Sequence, residues 1–213
     1  VPAGVNPVDY LFEAMASFDA SDGGGGLPFR GGAVGYISYD MLPYMESISL
    51  AARGGLELPE MMFMFTRTSA AFDHLAGRLV LMANVLIPLM SEDKELRDLY
   101  RRSIASLESM AASLAASVPR DASSDVYFLS QETHFQGVSS NFTREEYEAA
   151  VERAREYIYA GDAFQVVPSQ RFSFPLRCSP FSVYRSLRSE NPSPYMFFLR
   201  FGDLSLIGSS PEP

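Results

Sequence analysis

The sequence of 213 residues is short of cysteine, lysine and histidine, and short of positive charge overall; each shortage closes off a class of chemistry. Cys178 stands alone, so an internal disulfide framework is excluded, and with only His74 and His134 beside it no cluster has the spacing of a zinc site. A reducing, cytoplasmic setting fits that usage. Lys94 is the sole lysine, which leaves guanidinium groups as nearly all the positive charge and no obvious amine for Schiff-base catalysis. The 17 basic residues face 26 acidic ones, a net charge of -9, which argues against nucleic acid because phosphate-backbone binding needs a cationic face that releases counterions. Long apolar runs are missing too. Met61–Phe65 is too short to cross a bilayer, Leu79–Met90 is interrupted by polar residues, and no basic stretch followed by an apolar core opens the chain, so neither membrane nor secretion is expected. With 47% hydrophobic and 20% charged residues the chain has the composition of a folded protein of one or two domains. It opens on Val1 rather than methionine and stops at Pro213 just after an expected strand, and is therefore read as a segment of a longer protein.

Asn6-Pro7 supplies a cap and a first-turn proline, and Val8, Leu11, Phe12, Met15 and Phe18 recur at helical spacing behind it. Gly23–Gly26 reads as a connection; no Gly-Lys-Ser/Thr follows and Gly35 completes no GxGxxG, so a phosphate loop is not supported. Gly32–Tyr39 reads as a closely packed strand. Met61–Ala70 and Arg78–Leu86, joined by Asp73–Gly77, are expected to pair as an antiparallel hairpin. From Asp93 to about Ala116 the residues Leu96, Leu99, Ile104, Leu107, Met110 and Leu114 form one stripe, the pattern of a surface helix. Periodicity then lapses. The expected organisation is one domain over residues 1–118, a connection over 119–140 and the start of a second domain over 141–213.

In the second domain Thr143 and Glu146 form a capping box, Phe142 is placed to staple onto Tyr147, and Gly161 is placed to end the helix in the left-handed conformation. Tyr147, Ala150, Val151, Ala154, Tyr157 and Ile158 make its apolar stripe. Phe164–Phe174 alternates as a strand should, with Gln165, Val167, Ser169, Arg171 and Ser173 on one face and Phe164, Val166, Phe172 and Phe174 on the other. Pro168 cannot donate to a central ladder, so an edge or a bulge is expected there. Ser179-Pro180 starts another helix, Asn191-Pro192-Ser193-Pro194 ends it, and Tyr195–Phe201 turns at Gly202-Asp203 into Leu204–Ile207.

Four segments carry a family resemblance: Gly31–Asp40 (GGAVGYISYD), Ala160–Phe172 (AGDAFQVVPSQRF), Asn191–Leu199 (NPSPYMFFL) and Gly208–Glu212 (GSSPE). In order and spacing they resemble the anthranilate synthase large subunits of the chorismate-utilising enzymes. The resemblance implies an α+β fold of layered, mostly antiparallel sheets with outer helices. It implies a lyase that turns chorismate and ammonia into anthranilate and pyruvate, with magnesium as cofactor. A glutamine amidotransferase subunit would deliver the ammonia, in a heterotetramer, and L-tryptophan would act as feedback inhibitor.

Two places bear on the reaction. Hydrating relatives carry a lysine general base at the place matched by Gln165; an amide has no proton affinity near neutral pH, whereas ammonia brings its own lone pair and needs only placement. Gln165 is therefore expected to line the nucleophile side of the site, the alternative on residues alone being a structural glutamine bonded to backbone. Asn191, Pro194, Tyr195 and Met196 match the tryptophan-binding motif, where proline and methionine offer apolar surface to an indole; an ordinary turn is the alternative. Pro168 departs from the aliphatic residue the family pattern has there. The magnesium ligands and chorismate contacts are expected beyond Pro213, and the 213 residues alone are expected to be inactive. The rival readings are an aminodeoxychorismate synthase and a non-catalytic amino-acid-binding regulatory module.

Overall fold

A computed structural model describes residues 1–2, 4–18, 27–50, 55–116 and 137–212. The fold is α+β, and the chain divides into two compact units, Val1–Pro119 and Arg120–Pro213. The glycine connection at 23–26 and positions 119–136 of the expected interdomain connection lie outside the described residues.

In the first unit helix α1 (Pro7–Ala16) starts as its sequence dictates: the Asn6 side-chain oxygen accepts from the Val8 N–H at 2.9 Å and Pro7 takes the first turn. The Asn6 amide also donates to the Tyr44 carbonyl at 2.8 Å, tying the helix start to a 3-10 helix at Tyr39–Tyr44. Met41 of that segment is 1% exposed and, with Val8 at 9%, makes up the buried apolar side chains among the described residues.

Strand β1 (Gly32–Ile37) pairs antiparallel with β2 (Met61–Thr66), and β3 (Thr68–Asp73) pairs antiparallel with β4 (Arg78–Ala83). This corrects the expected pairing of one long run, Met61–Ala70, with Arg78–Leu86. The run is broken at Arg67, and its two halves serve different sheets: residues up to Thr66 take β1 as partner and residues from Thr68 take β4. Asn84 holds the break. Its N–H donates to the Arg67 carbonyl at 2.7 Å, and its side-chain amide reaches the carbonyls of Arg30 at 3.0 Å and Thr66 at 3.3 Å. Helix α2 (Asp93–Ala115) packs on β4, turning Leu99, Leu107 and Met110 of its stripe inward while Leu96, Ile104 and Leu114 stay exposed.

In the second unit β5 (Ser139–Ser140) leads into α3 (Arg144–Ala160) through the expected capping box. Thr143 Oγ1 accepts from the Glu146 N–H at 3.2 Å, and Glu146 Oε2 accepts from the Thr143 N–H at 2.8 Å. Phe142 and Tyr147 meet edge to face at 6.4 Å, the expected staple. Gly161 ends the helix at φ 84, a left-handed conformation that a Cβ would penalise. Tyr147, Ala150, Val151 and Ala154 are the half-buried part of the stripe; Tyr157 and Ile158 are exposed, against expectation.

Helix α4 (Pro180–Glu190) is capped by Ser179, whose hydroxyl accepts from the Ser182 N–H at 3.1 Å. It lies on the hairpin of β7 (Tyr195–Phe201) and β8 (Leu204–Ser210), where the Phe198 ring sits 5.4 Å from Phe181 and 5.9 Å from Tyr184. Gly202 at φ 60 makes the two-residue turn, and β8 runs three residues past the expected Ile207.

Candidate functional site

Among the described residues the segment that carries Gln165 finds no ladder partner over most of its length. Phe164–Phe174 was expected to alternate in a sheet, yet only Phe172–Ser173 (β6) pairs, with Ser139–Ser140. The reason is physical: a strand exists only where a neighbour supplies its ladder, Pro168 has no N–H to give, and residues 164–171 are held by other means. Neither of the two expected faces is buried. Phe164 is 96% and Val167 77% exposed.

Those other means are side-chain hydrogen bonds. The Tyr147 hydroxyl, on the first turns of α3, donates to the Pro168 carbonyl at 3.3 Å. The Gln170 amide donates to Ser140 Oγ at 2.7 Å and reaches the Phe142 carbonyl at 3.5 Å. Arg171 is gripped on both sides, its N–H donating to Asn141 Oδ1 at 2.7 Å and its carbonyl accepting from the Asn141 N–H at 3.2 Å. At the helix end the Asp162 N–H donates to the Tyr157 carbonyl at 3.0 Å. Gln165 lies between these anchors with its side chain exposed. A hollow of about 410 Å³ opens beside them, lined by Ser140, Phe142, Tyr147, Gln170 and Phe172 among others; Gln165 does not line it.

The inhibitor-type motif sits at the junction of α4 and β7. Ser209 Oγ donates to the Asn191 carbonyl at 2.6 Å, fixing the turn against β8. Tyr195 stands opposite Ser210 and Met196 opposite Ser209 in the hairpin register. Successive strand residues point to opposite faces, so Tyr195 and Met196 cannot present side chains to a ligand from the same face. Tyr195 is 47% exposed, Asn191 and Pro194 are exposed and Met196 is half-buried. Gln165 and the Asn191–Met196 motif thus occupy separate segments of the second unit. Sequence reasoning found neither the Ser209 anchor nor the hydrogen bonds that Tyr147, Gln170 and Asn141 make to the Gln165 segment; Asn141, just before the capping box, carried only a weak local signal.

Among the described residues no three His, Cys, Asp or Glu side chains converge as a metal site, and no helix is long and apolar enough to cross a membrane. Cys178 is a free, exposed thiol.

Comparison with known proteins gives consistent matches. The family model described as chorismate binding enzyme matches residues 8–213. Anthranilate synthase component 1 of Acetivibrio thermocellus is 33% identical over 211 residues, which is 97% of this chain and 41% of that protein. The protein of the same title from Pseudomonas aeruginosa is 38% identical over 191 residues, 88% of this chain and 37% of that protein. The crystal structure of anthranilate synthase component I from Streptococcus pneumoniae TIGR4 superposes with a TM-score of 0.72 at 30% identity, over 98% of this chain and 44% of that one. The chain spans about two fifths of the length of the curated relatives it matches.

Proposed function

The chain belongs to the chorismate binding enzyme family, and from that membership we propose that the protein carrying it is an anthranilate synthase large subunit. The reaction is addition of ammonia at C2 of chorismate with the ring hydroxyl leaving as water, followed by elimination of the enolpyruvyl side chain as pyruvate, which leaves anthranilate. The observation that favours amination within the family is the amide at position 165, and the Tyr195-Met196 pair, which aminodeoxychorismate synthases usually lack, favours the anthranilate branch. A glutamine cannot take a proton from water, so this side of the site suits a nucleophile that arrives with its own lone pair. The relatives' titles support the same reading. On this reading Gln165 orients the incoming ammonia through a hydrogen bond, and a glutamine amidotransferase subunit supplies that ammonia within a heterotetramer in the cytoplasm.

Magnesium enters through the family alone. The described residues do not fit an ion site, since no set of three ligating side chains converges, and no step here is routed through the metal. For the same reason, and because the chain spans only part of its relatives, residues 1–213 by themselves are proposed to be inactive. L-tryptophan as feedback inhibitor would meet Asn191, Pro194, Tyr195 and Met196, with backbone amide and carbonyl groups serving where the Tyr195 and Met196 side chains turn to opposite faces. A proline-fixed turn exposes apolar surface there, and the link from Ser209 to Asn191 holds the turn in place.

The intact protein encoded by the gene, incubated with chorismate, magnesium and an ammonium salt, is expected to form a fluorescent product identical to anthranilate. Formation of isochorismate would overturn the reading of Gln165, and accumulation of aminodeoxychorismate would move the assignment to that rival.

A further inference from the structure

We propose that Ser209 is a positioning residue for the inhibitor site, an inference that rests on the reading above in which L-tryptophan meets the Asn191–Met196 turn. The Ser209 hydroxyl donates to the Asn191 carbonyl at 2.6 Å, a contact between residues 18 apart within one helix–turn–hairpin unit. Asn191 closes α4 with φ -139 and ψ 67, neither helical nor extended, and its N–H donates to the Leu187 carbonyl at 2.9 Å. It is thus held on both sides, by the helix through its N–H and by β8 through its carbonyl. The same serine stands opposite Met196 in the antiparallel register. Residues directly opposite share a face of the hairpin, so Ser209 joins the first residue of the motif to the last.

That closure acts on the backbone a ligand would use. Rotation about ψ of Asn191 swings its carbonyl and carries the Pro192–Pro194 stretch with it, so a bond to the carbonyl fixes that torsion. Pro192 and Pro194 lock their own φ, and Tyr195 already belongs to the β7 ladder. Few soft torsions remain between the two ends of the motif, and Ser209 holds the first of them. Tyr195 and Met196 turn their side chains to opposite faces, which leaves backbone amide and carbonyl groups to hold the carboxylate and ammonium of an amino acid. Such groups bind well where the backbone is already arranged, because ordering it on binding subtracts from affinity. Two of the segments that carry the resemblance, Asn191–Leu199 and Gly208–Glu212, meet at this one bond.

The test is calorimetry of the intact enzyme with L-tryptophan, beside the KM for chorismate with ammonium as nitrogen source. Ser209→Ala removes the hydroxyl. It is expected to raise the Kd for L-tryptophan about three- to ten-fold, the scale of one lost hydrogen bond, with the KM for chorismate unchanged. Ser209→Thr keeps a hydroxyl at a strand position that suits a β-branched residue, and is expected to restore most of the affinity. Met196→Ala probes the site itself and should weaken L-tryptophan binding independently of Ser209. A parental Kd in Ser209→Ala beside a weakened Met196→Ala would overturn positioning and leave the site standing. So would a Ser209→Ala loss shared equally by chorismate, the mark of a merely structural role. An intact enzyme that does not bind L-tryptophan, or whose Met196→Ala variant binds it as the parent does, would overturn both. Should Ser209→Ala fail to fold, Ser209→Cys decides, because its thiol fills similar space and donates only weakly; a parental Kd there refutes the proposal.

Discussion

Replacing Gly35 with alanine tests whether the β1–β2 pairing sits where the structure puts it. Gly35 is opposite Phe63 in the register, and a Cβ built on it would collide with the Met62 carbonyl oxygen, lying also 2.8 Å from the Met62 carbonyl carbon and 2.7 Å from the Phe63 ring. The principal obstacle is backbone. A side chain could rotate away, but the Met62 carbonyl moves only if β2 shifts against β1, and overpacking of this kind costs about 1–3 kcal/mol. Against it stands the stiffening of the unfolded chain, worth about 0.4–1 kcal/mol. The balance is a net loss of about 1–2 kcal/mol, which for a unit of this size lowers the melting temperature by roughly 4–10 °C. Gly55 provides the control, because a Cβ there meets nothing within 4 Å and its φ is ordinary. Gly55→Ala is therefore expected to match or slightly exceed the parent. Thermal melts of the intact protein followed by near-ultraviolet circular dichroism read both variants. Were Gly35→Ala as stable as Gly55→Ala, the close approach of the two strands at that position would be refuted.

Thr143→Ala removes the acceptor for the Glu146 N–H and should destabilise the second unit by about 1 kcal/mol in urea unfolding, with Thr143→Ser restoring most of it; equal midpoints for all three would refute the capping box. Asp73 is the other handle. Its carboxylate accepts from the Ala76 N–H at 3.0 Å and from Arg78 at 3.1 Å, and first the backbone bond, then the Arg78 guanidinium, holds its pKa below the ordinary 3.8. A carboxyl depressed on folding contributes stability that is complete above its unfolded value and fades as pH falls through its folded value. The melting-temperature gap between parent and Asp73→Asn should therefore be constant near neutrality and close at pH values below 3.8, and a gap that widens on acidification would contradict the assignment.

What could be read from the sequence was whatever a few neighbouring residues decide between themselves. Asn6-Pro7, the Thr143/Glu146 pair, Phe142 against Tyr147, Gly161 and Ser179-Pro180 each close a helix end within a handful of positions, and each stands where local chemistry put it. The failures share the opposite property. Met61–Ala70 looked like one strand because nothing in its own letters reveals that Asn84 reaches back to Arg67 and splits it between two partners. Phe164–Phe174 alternated well enough for a sheet, but alternation states a preference for a ladder and cannot supply the partner.

The candidate site divides along the same line. That position 165 carries an amide is a fact of sequence, and so is its consequence for proton transfer. How the backbone beyond it is held depends on contacts such as Tyr147 with Pro168 and Gln170 with Ser140, made across 21 and 30 residues by side chains whose own local roles look complete without them. Tyr147 already serves as the helix staple, so nothing in the pattern asks for a second duty. Such contacts become visible only once the fold has brought the two stretches together, because each side chain's neighbours in sequence already account for its presence.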